Sequence, residues 1–238
     1  MWDRPRDLNA ISNLLFALVI ACALYAAMYR IIHLPYFDLK TVRVDGMTGH
    51  VSRDQVAFIA GRRLKGNFFT VNLDGLKDDF GKLPWVRNVS VRRRWPLEID
   101  VKIEEHVPLA HWGGDQFVDT YGDVFEASTD AKLPQFSGPF GSSQEVATEY
   151  SAFSKSLAPL GKHVDQISLS ARRAWEIRLD DGMVIKLGRE HVEERLADFA
   201  SLYGRTVGQF AKRIDYVDLR YDNGFAVRIP GLAARAGA

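Results

Sequence analysis

The chain holds one cysteine, Cys22, in 238 residues, so no intrachain disulfide can form. It also lacks a charge excess: 31 basic residues against 30 acidic ones leave a formal net charge of +1. A dedicated nucleic-acid-binding domain leans strongly basic, so this balance argues against DNA and RNA as partners. The histidines are His33, His50, His106, His111, His163 and His191. No two share the i,i+4 spacing of a helical metal site, and the body has no cysteine to complete one. They read as solvent-facing or structural. No Gly-x-Ser-x-Gly, phosphate loop or dinucleotide fingerprint is present. Glu104 and Glu105 are adjacent carboxylates, but neighbours on a strand point to opposite faces. No internal repeat or low-complexity tract appears. Nothing in the chain nominates a catalytic group or a cofactor.

What the chain has is a long apolar run. From Leu14 to Tyr29, LLFALVIACALYAAMY, every residue is apolar or aromatic, and no charge falls between Asp7 and Arg30. About 20 such residues cross a bilayer core of roughly 30 Å. A buried core helix of this length would show a polar face. A cleaved signal peptide has a shorter apolar core and small residues at its cleavage site, whereas Tyr25, Met28 and Tyr29 here are bulky. Val19-Ile20-Ala21-Cys22 resembles a lipoprotein site, yet the run stays apolar beyond the cysteine. An uncleaved signal anchor over 11–34 fits best. Arg4 and Arg6 precede it and Arg30, Lys40 and Arg43 follow, so the positive-inside count is ambiguous. About 200 residues follow the span, and long domains translocate largely regardless of charge. The reading is a short cytoplasmic tail, 1–10, and an extracytoplasmic body.

The body opens with a short strand within Phe37–Val44, Val42 and Val44 sharing a face. Ser52 and Gln55 have capping-box spacing and open a helix striped by Val56 and Ile59. Asp74 is expected to cap a second helix carrying Leu76, Phe80 and Leu83, which Pro84 ends. Val89 and Val91 suggest a strand. Leu97, Ile99, Val101 and Ile103 then alternate strictly with charged residues, the clearest strand in the chain. The short link between the two runs makes a hairpin. That link carries Arg92, Arg93 and Arg94 and then Trp95-Pro96. A solvated hairpin end, with Glu98 and Asp100 opposite, is the plainer reading of these arginines. A patch facing anionic head groups or a protein partner is the alternative, since the domain is tethered near the bilayer.

Further on, Leu109–Trp112 and Gln116–Glu126 read as strands, the latter broken at Tyr121-Gly122-Asp123. Pro134 to Gly141 reads as an irregular connection. Ser142 and Glu145 repeat the capping-box spacing before a helix lined by Val146, Tyr150, Phe153 and Leu157. Ile167–Leu169, Trp175–Leu179 and Met183–Leu187 are strands, the last two joined at Asp180-Asp181-Gly182. Glu190, Glu193 and Glu194 open a helix with Val192, Leu196, Phe199 and Tyr203 on its core side. Tyr216–Arg220 and Phe225–Ile229 are final strands around Asp222-Asn223-Gly224. The small-residue tail 232–238 is expected to be mobile.

An anchor, then strand-helix-helix-strand-strand, then a β-rich region resembles the bacterial cell-division family FtsQ/DivIB in its Gram-negative form. The resemblance rests on VRVDG (Val42–Gly46), NFFTVNL (Asn67–Leu73), LPWVRNVSVRRRWP (Leu83–Pro96), IEEHVPLAHW (Ile103–Trp112), SARRAWEIRL (Ser170–Leu179), VIKLGR (Val184–Arg189) and RIDYVDLRYDNGFAV (Arg213–Val227). It implies an α+β chain with a single N-terminal transmembrane helix, a POTRA domain (β-α-α-β-β) at 37–106 and a β-rich domain with flanking helices at 107–231. It implies a non-catalytic role without cofactors: an essential divisome scaffold at the septum, single-pass in the inner membrane, with a periplasmic body. Members bind FtsB and FtsL, and also contact FtsK, FtsW, FtsI and FtsN, linking early and late division proteins and controlling septal peptidoglycan synthesis. The FtsB contact matches Arg173, Arg220, Tyr221, Asn223, Gly224 and Phe225 here, with Lys212 just upstream. Members often carry serine at Asn223 and alanine at Phe225, and some carry tryptophan at Ile229. The other expectation a POTRA domain raises is a chaperone of outer-membrane protein assembly. Such proteins usually carry several POTRA repeats or a β-barrel, and neither is apparent.

Overall fold

A computed structural model describes residues 5–46, 49–209, 214–221 and 224–230. The apolar run lies within helix α1 (Pro5–Ile32). Its stretch Asn9–Ile32 spans 24 residues at mean hydropathy 2.2, with none of it buried. At 1.5 Å per residue that is about 36 Å, long enough for a bilayer core of about 30 Å. This is compatible with a single-pass anchor. The chain divides into two compact units, 1–105 and 106–238.

The first unit contains β1 (Thr41–Asp45), α2 (Arg53–Arg63), α3 (Leu73–Gly81), β2 (Val86–Arg94) and β3 (Glu98–Glu105). The three strands run in the order β1-β3-β2. β1 is parallel and β2 antiparallel to β3. The strictly alternating strand is therefore the central one. Ile99, Val101 and Ile103 are buried, and their core cluster includes Val56 and Ile59 of α2 and Leu76 and Phe80 of α3.

Local chemistry explains where these elements begin. The Ser52 capping box forms in full: Gln55 N donates to Ser52 Oγ at 3.1 Å, and Ser52 N donates to Gln55 Oε1 at 3.0 Å. The cap of α3 is not Asp74. Asn72 holds that position, its Oδ1 accepting from Gly75 N at 2.9 Å. Asp74 sits within the first turn, where a carboxylate complements the helix dipole. The first strand starts later than Phe37, because Pro35–Phe37 forms a 3-10 turn and Asp38 bridges to Asn67.

The second unit contains β4 (Pro108–Trp112), β5 (Gln116–Asp119), β6 (Val124–Phe125), β7 (Gln135–Ser137), α4 (Ser143–Leu157), β8 (Val164–Leu169), β9 (Trp175–Leu179), β10 (Val184–Gly188), α5 (Val192–Tyr203), β11 (Tyr216–Asp218) and β12 (Ala226–Arg228). They make one sheet in the order β12-β11-β10-β9-β8-β7-β4-β5-β6. Val146, Phe153 and Leu157 of α4 and Leu196 and Phe199 of α5 join Ile167, Ile177 and Ile185 of the sheet in one core.

Two expectations change here. The connection between Pro134 and Gly141 is not wholly irregular: β7 lies inside it, pairing parallel to both β4 and β8. The second capping box does not form. Ser142 Oγ donates to Pro139 O at 2.7 Å, and Glu145 pairs with Arg173.

His106 has a structural role. It is buried, its ring lies 4.1 Å from that of Phe125, and its Nδ1 sits 2.8 Å from Asp119 Oδ2. Asp119 also accepts from Tyr121 N and Asp123 N at 2.8 and 2.9 Å, which secures the β5–β6 turn.

Candidate protein interface

The last strand, β12, ends the nine-stranded sheet and pairs antiparallel with β11. Among the described residues it has a strand on one side only. Its outer edge therefore offers backbone donors and acceptors to another chain. Side chains alternate along it. Phe225, Val227 and Ile229 pack against the core, while Gly224, Ala226 and Arg228 are exposed.

Beside this edge is a hollow of about 520 Å³, with Phe199, Leu202, Leu219, Tyr221, Gly224 and Phe225 on its apolar side and His191, Glu194, Arg195 and Asp198 completing the wall. Tyr221 is 60 % exposed at its rim. Phe225 is fixed beneath it, edge-to-face with Phe199 at 5.5 Å between ring centres. A Cβ built on Gly224 would meet nothing within 4 Å, so space beyond it is open.

A second hollow, of about 530 Å³, is lined by Arg172, Arg189, Arg195 and Arg220, with Glu190 the one acidic residue. Arg195 borders both hollows. Arg220 does not swing freely within this group. Its Nε donates to Asp218 Oδ1 at 2.8 Å and its Nη2 to Asp218 Oδ2 at 2.6 Å. The guanidinium holds the Asp218 carboxyl below the usual carboxylate range, and the carboxylate raises Arg220 in turn. A guanidinium has five N–H donors, and Asp218 engages only part of the fork. Arg220 thus lines the hollow with its orientation already set.

The residues expected from the sequence are only partly brought together. Arg220, Tyr221, Gly224 and Phe225 cluster at the β12 edge, with Phe225 mainly as support. Arg173 sits in a left-handed turn conformation (φ 63°) and pairs with Glu145 of α4. Its neighbour Arg172 is the one that lines the arginine hollow. Lys212 and Asn223 lie outside the described residues. Arg172, Arg189 and Arg195 were not singled out by sequence reasoning. The pair Arg172-Arg173 was the available signal, but without knowing the turn geometry it could not show which arginine faces the edge.

The arginines of the first unit are split as well. Opposite Arg92, Arg93 and Arg94 on β2 stand Asp100, Ile99 and Glu98 on β3. Arg93 Nε donates to Phe68 O at 2.8 Å, and its Nη2 donates to Val71 O at 2.9 Å and to Phe69 O at 3.3 Å. It braces the loop before α3. Arg92 and Arg94 are exposed on the other face.

Comparison with known proteins agrees with this architecture. Residues 37–106 match the model of the POTRA domain, FtsQ-type, and residues 110–220 match that of the cell division protein FtsQ/DivIB, C-terminal. The chain is 42 % identical over 233 residues to a cell division protein FtsQ of Nitrosospira multiformis, covering 96 % of this chain and 99 % of that one. It is 41 % identical to that of Burkholderia pseudomallei, covering 98 % of this chain and 96 % of the relative. With that of Coxiella burnetii it shares 31 % identity over 94 % of each chain. With both units matched in order and relatives aligned nearly end to end, the chain belongs to the FtsQ/DivIB family of cell division proteins.

Proposed function

We propose that this chain is a divisome scaffold of the inner membrane, with a cytoplasmic N-terminus and a periplasmic body at the division septum. In this reading it works by binding, with no catalytic step. It captures FtsB at the β12 edge, holds FtsL in the same complex, and contacts FtsK, FtsW, FtsI and FtsN. It thereby links early and late division proteins and helps place and control septal peptidoglycan synthesis.

The observation that carries the reading is the open edge of β12 beside two hollows of different character. An extended partner segment can add to such an edge, backbone hydrogen bonds supplying affinity and side chains supplying selectivity. The hollow beside Tyr221 has a mixed lining, and its Phe199–Phe225 side suits a partner's apolar side chain. The arginine hollow suits its carboxylates, which a guanidinium fork meets in bidentate geometry.

The test is co-purification of FtsB with the full-length protein. Tyr221→Ala removes the exposed ring at the rim without touching the core, so it should cut recovery of FtsB severalfold while thermal unfolding stays unchanged. Undiminished recovery would count against this site. Arg220→Glu is a poorer probe, because it also sets a carboxylate against Asp218.

A further inference from the structure

One end of the first unit gathers the exit of α1, a loop and a hairpin turn. Asn67 Nδ2 donates to Ile32 O, at the end of α1. Phe68 N donates to Phe37 O at 2.9 Å. Lys40 N donates to Leu97 O at 3.2 Å, placing the start of β1 beside the β2–β3 turn. Arg93 closes the set by binding the carbonyls of Phe68, Phe69 and Val71. Helix exit, loop and turn are thus joined by direct hydrogen bonds.

What this end exposes is unusual for a water-facing surface. Trp95 is 83 % exposed, Tyr36 76 %, Phe69 49 % and Leu34 48 %. Three rings form a contiguous series, Tyr36 edge-on to Phe37 at 5.4 Å and Phe37 to Phe69 at 5.1 Å, while Trp95 stands on the β2–β3 turn. Lys40 is exposed at this end, and Arg92 and Arg94 are exposed on the other face of β2. Asp38, Glu98 and Asp100 share this end, Glu98 standing opposite Arg94 and Asp100 opposite Arg92. Amphipathic rings favour the head-group layer of a bilayer. Basic side chains are attracted to an anionic surface.

The occupant is fixed by continuity with α1. Its 24-residue apolar stretch is about 36 Å long and outreaches a ~30 Å core, so its last turn lies at head-group height. Asn67 is bonded to that last turn, and Phe69 lies two residues further on. We propose that the Phe69 loop and the Trp95 turn rest in the head-group layer of an anionic bilayer. The POTRA domain is then seated on the membrane at a set height and tilt instead of swinging on a tether. This rests on the reading of α1 as a membrane span.

The test uses the full-length protein in nanodiscs, made either from phosphatidylcholine alone or with added phosphatidylglycerol. A nitroxide is placed at Trp95→Cys or, as a control, at Lys102→Cys, each in a Cys22→Ser background. Lys102 pairs with Asp45, four residues along β3 from Glu98, about 13 Å further from the turn. Relaxation by nickel chelated to lipid head groups is read at each site. A parallel sample labelled at the native Cys22 reports insertion of α1. The expected result is severalfold stronger relaxation at 95 than at 102, strongest with phosphatidylglycerol and reduced by adding Arg92→Glu with Arg94→Glu. Equal, weak relaxation at 95 and 102 in both lipids, with Cys22 inserted, would overturn the docking and leave the anchor intact. A water-exposed Cys22 would overturn both. The lipid comparison needs no charge variant, so a folding defect in that variant does not decide the outcome.

Discussion

Arg93 directs its guanidinium to three backbone carbonyls, while Arg92, one residue earlier, projects from the other face of the same strand. The two should therefore respond differently to truncation. Arg93→Ala leaves the carbonyls of the 68–71 loop without their charged donor. We expect it to destabilise the POTRA unit by about 1 kcal/mol, a value reduced for the solvent around an exposed side chain. Arg92→Ala should stay within about 0.5 kcal/mol of the parent, as surface changes usually do. Chemical denaturation of the two variants checks this, and equal midpoints would remove the brace from the account. The three arginines were visible in the sequence as a run. Their division of labour was not, because it depends on a loop more than twenty residues upstream. The same limit applied to Arg172 and Arg173, which only the turn geometry separates.

At the scale of elements, the start of α3 offers a sharp comparison. Asn72 caps the helix through its side chain, and Asp74 does not. Asn72→Ala should cost about 1 kcal/mol, the usual cost of losing an N-cap. Asp74→Ala should cost clearly less in the same thermal melts. The reverse order would show that the dipole, and not the cap, governs this terminus. Helix α4 carries a different liability. Glu149 has an oxygen buried without a hydrogen-bond partner. Burial, reinforced by Glu193 and Glu145, raises its carboxyl above the usual range. The folded state then binds its proton more tightly than the unfolded state does. Stability falls as pH rises from the unfolded value through the folded one, and stays lower at neutral pH. Glu149→Gln should accordingly raise the melting temperature at pH 7, with a gain that shrinks as acid protonates the parent in both states. A gain that persists unchanged at low pH would point to packing instead.

Elements with a strong local pattern were legible in the sequence. The alternation over Leu97–Ile103 marked β3, and Ser52 with Gln55 marked the start of α2. β7 was missed because it has three residues between Pro134 and Gly138, too few to show a period. Its reason to be extended is not local: β4 and β8 hold it from either side.

At the scale of the whole molecule, each unit carries a surface that its own fold leaves open. The nine-stranded sheet ends in β12, and the POTRA unit exposes Tyr36, Phe69 and Trp95 at the end where α1 exits. The two final strands were readable from RYDNGFA and its neighbours. Their place at the sheet edge was not, because β11 pairs parallel with β10 across the whole of α5. Strand order is a property of long-range pairing, and only the assembled sheet shows which strand is last. That order makes the central claim testable by position. A photo-crosslinking residue at Ala226, exposed on β12, is compared in dividing cells with one at Val124 on β6, the opposite edge of the same sheet. The account predicts a crosslink to FtsB from Ala226, lost on Tyr221→Ala, and none from Val124. A crosslink to FtsB from Val124 with none from Ala226 would contradict it.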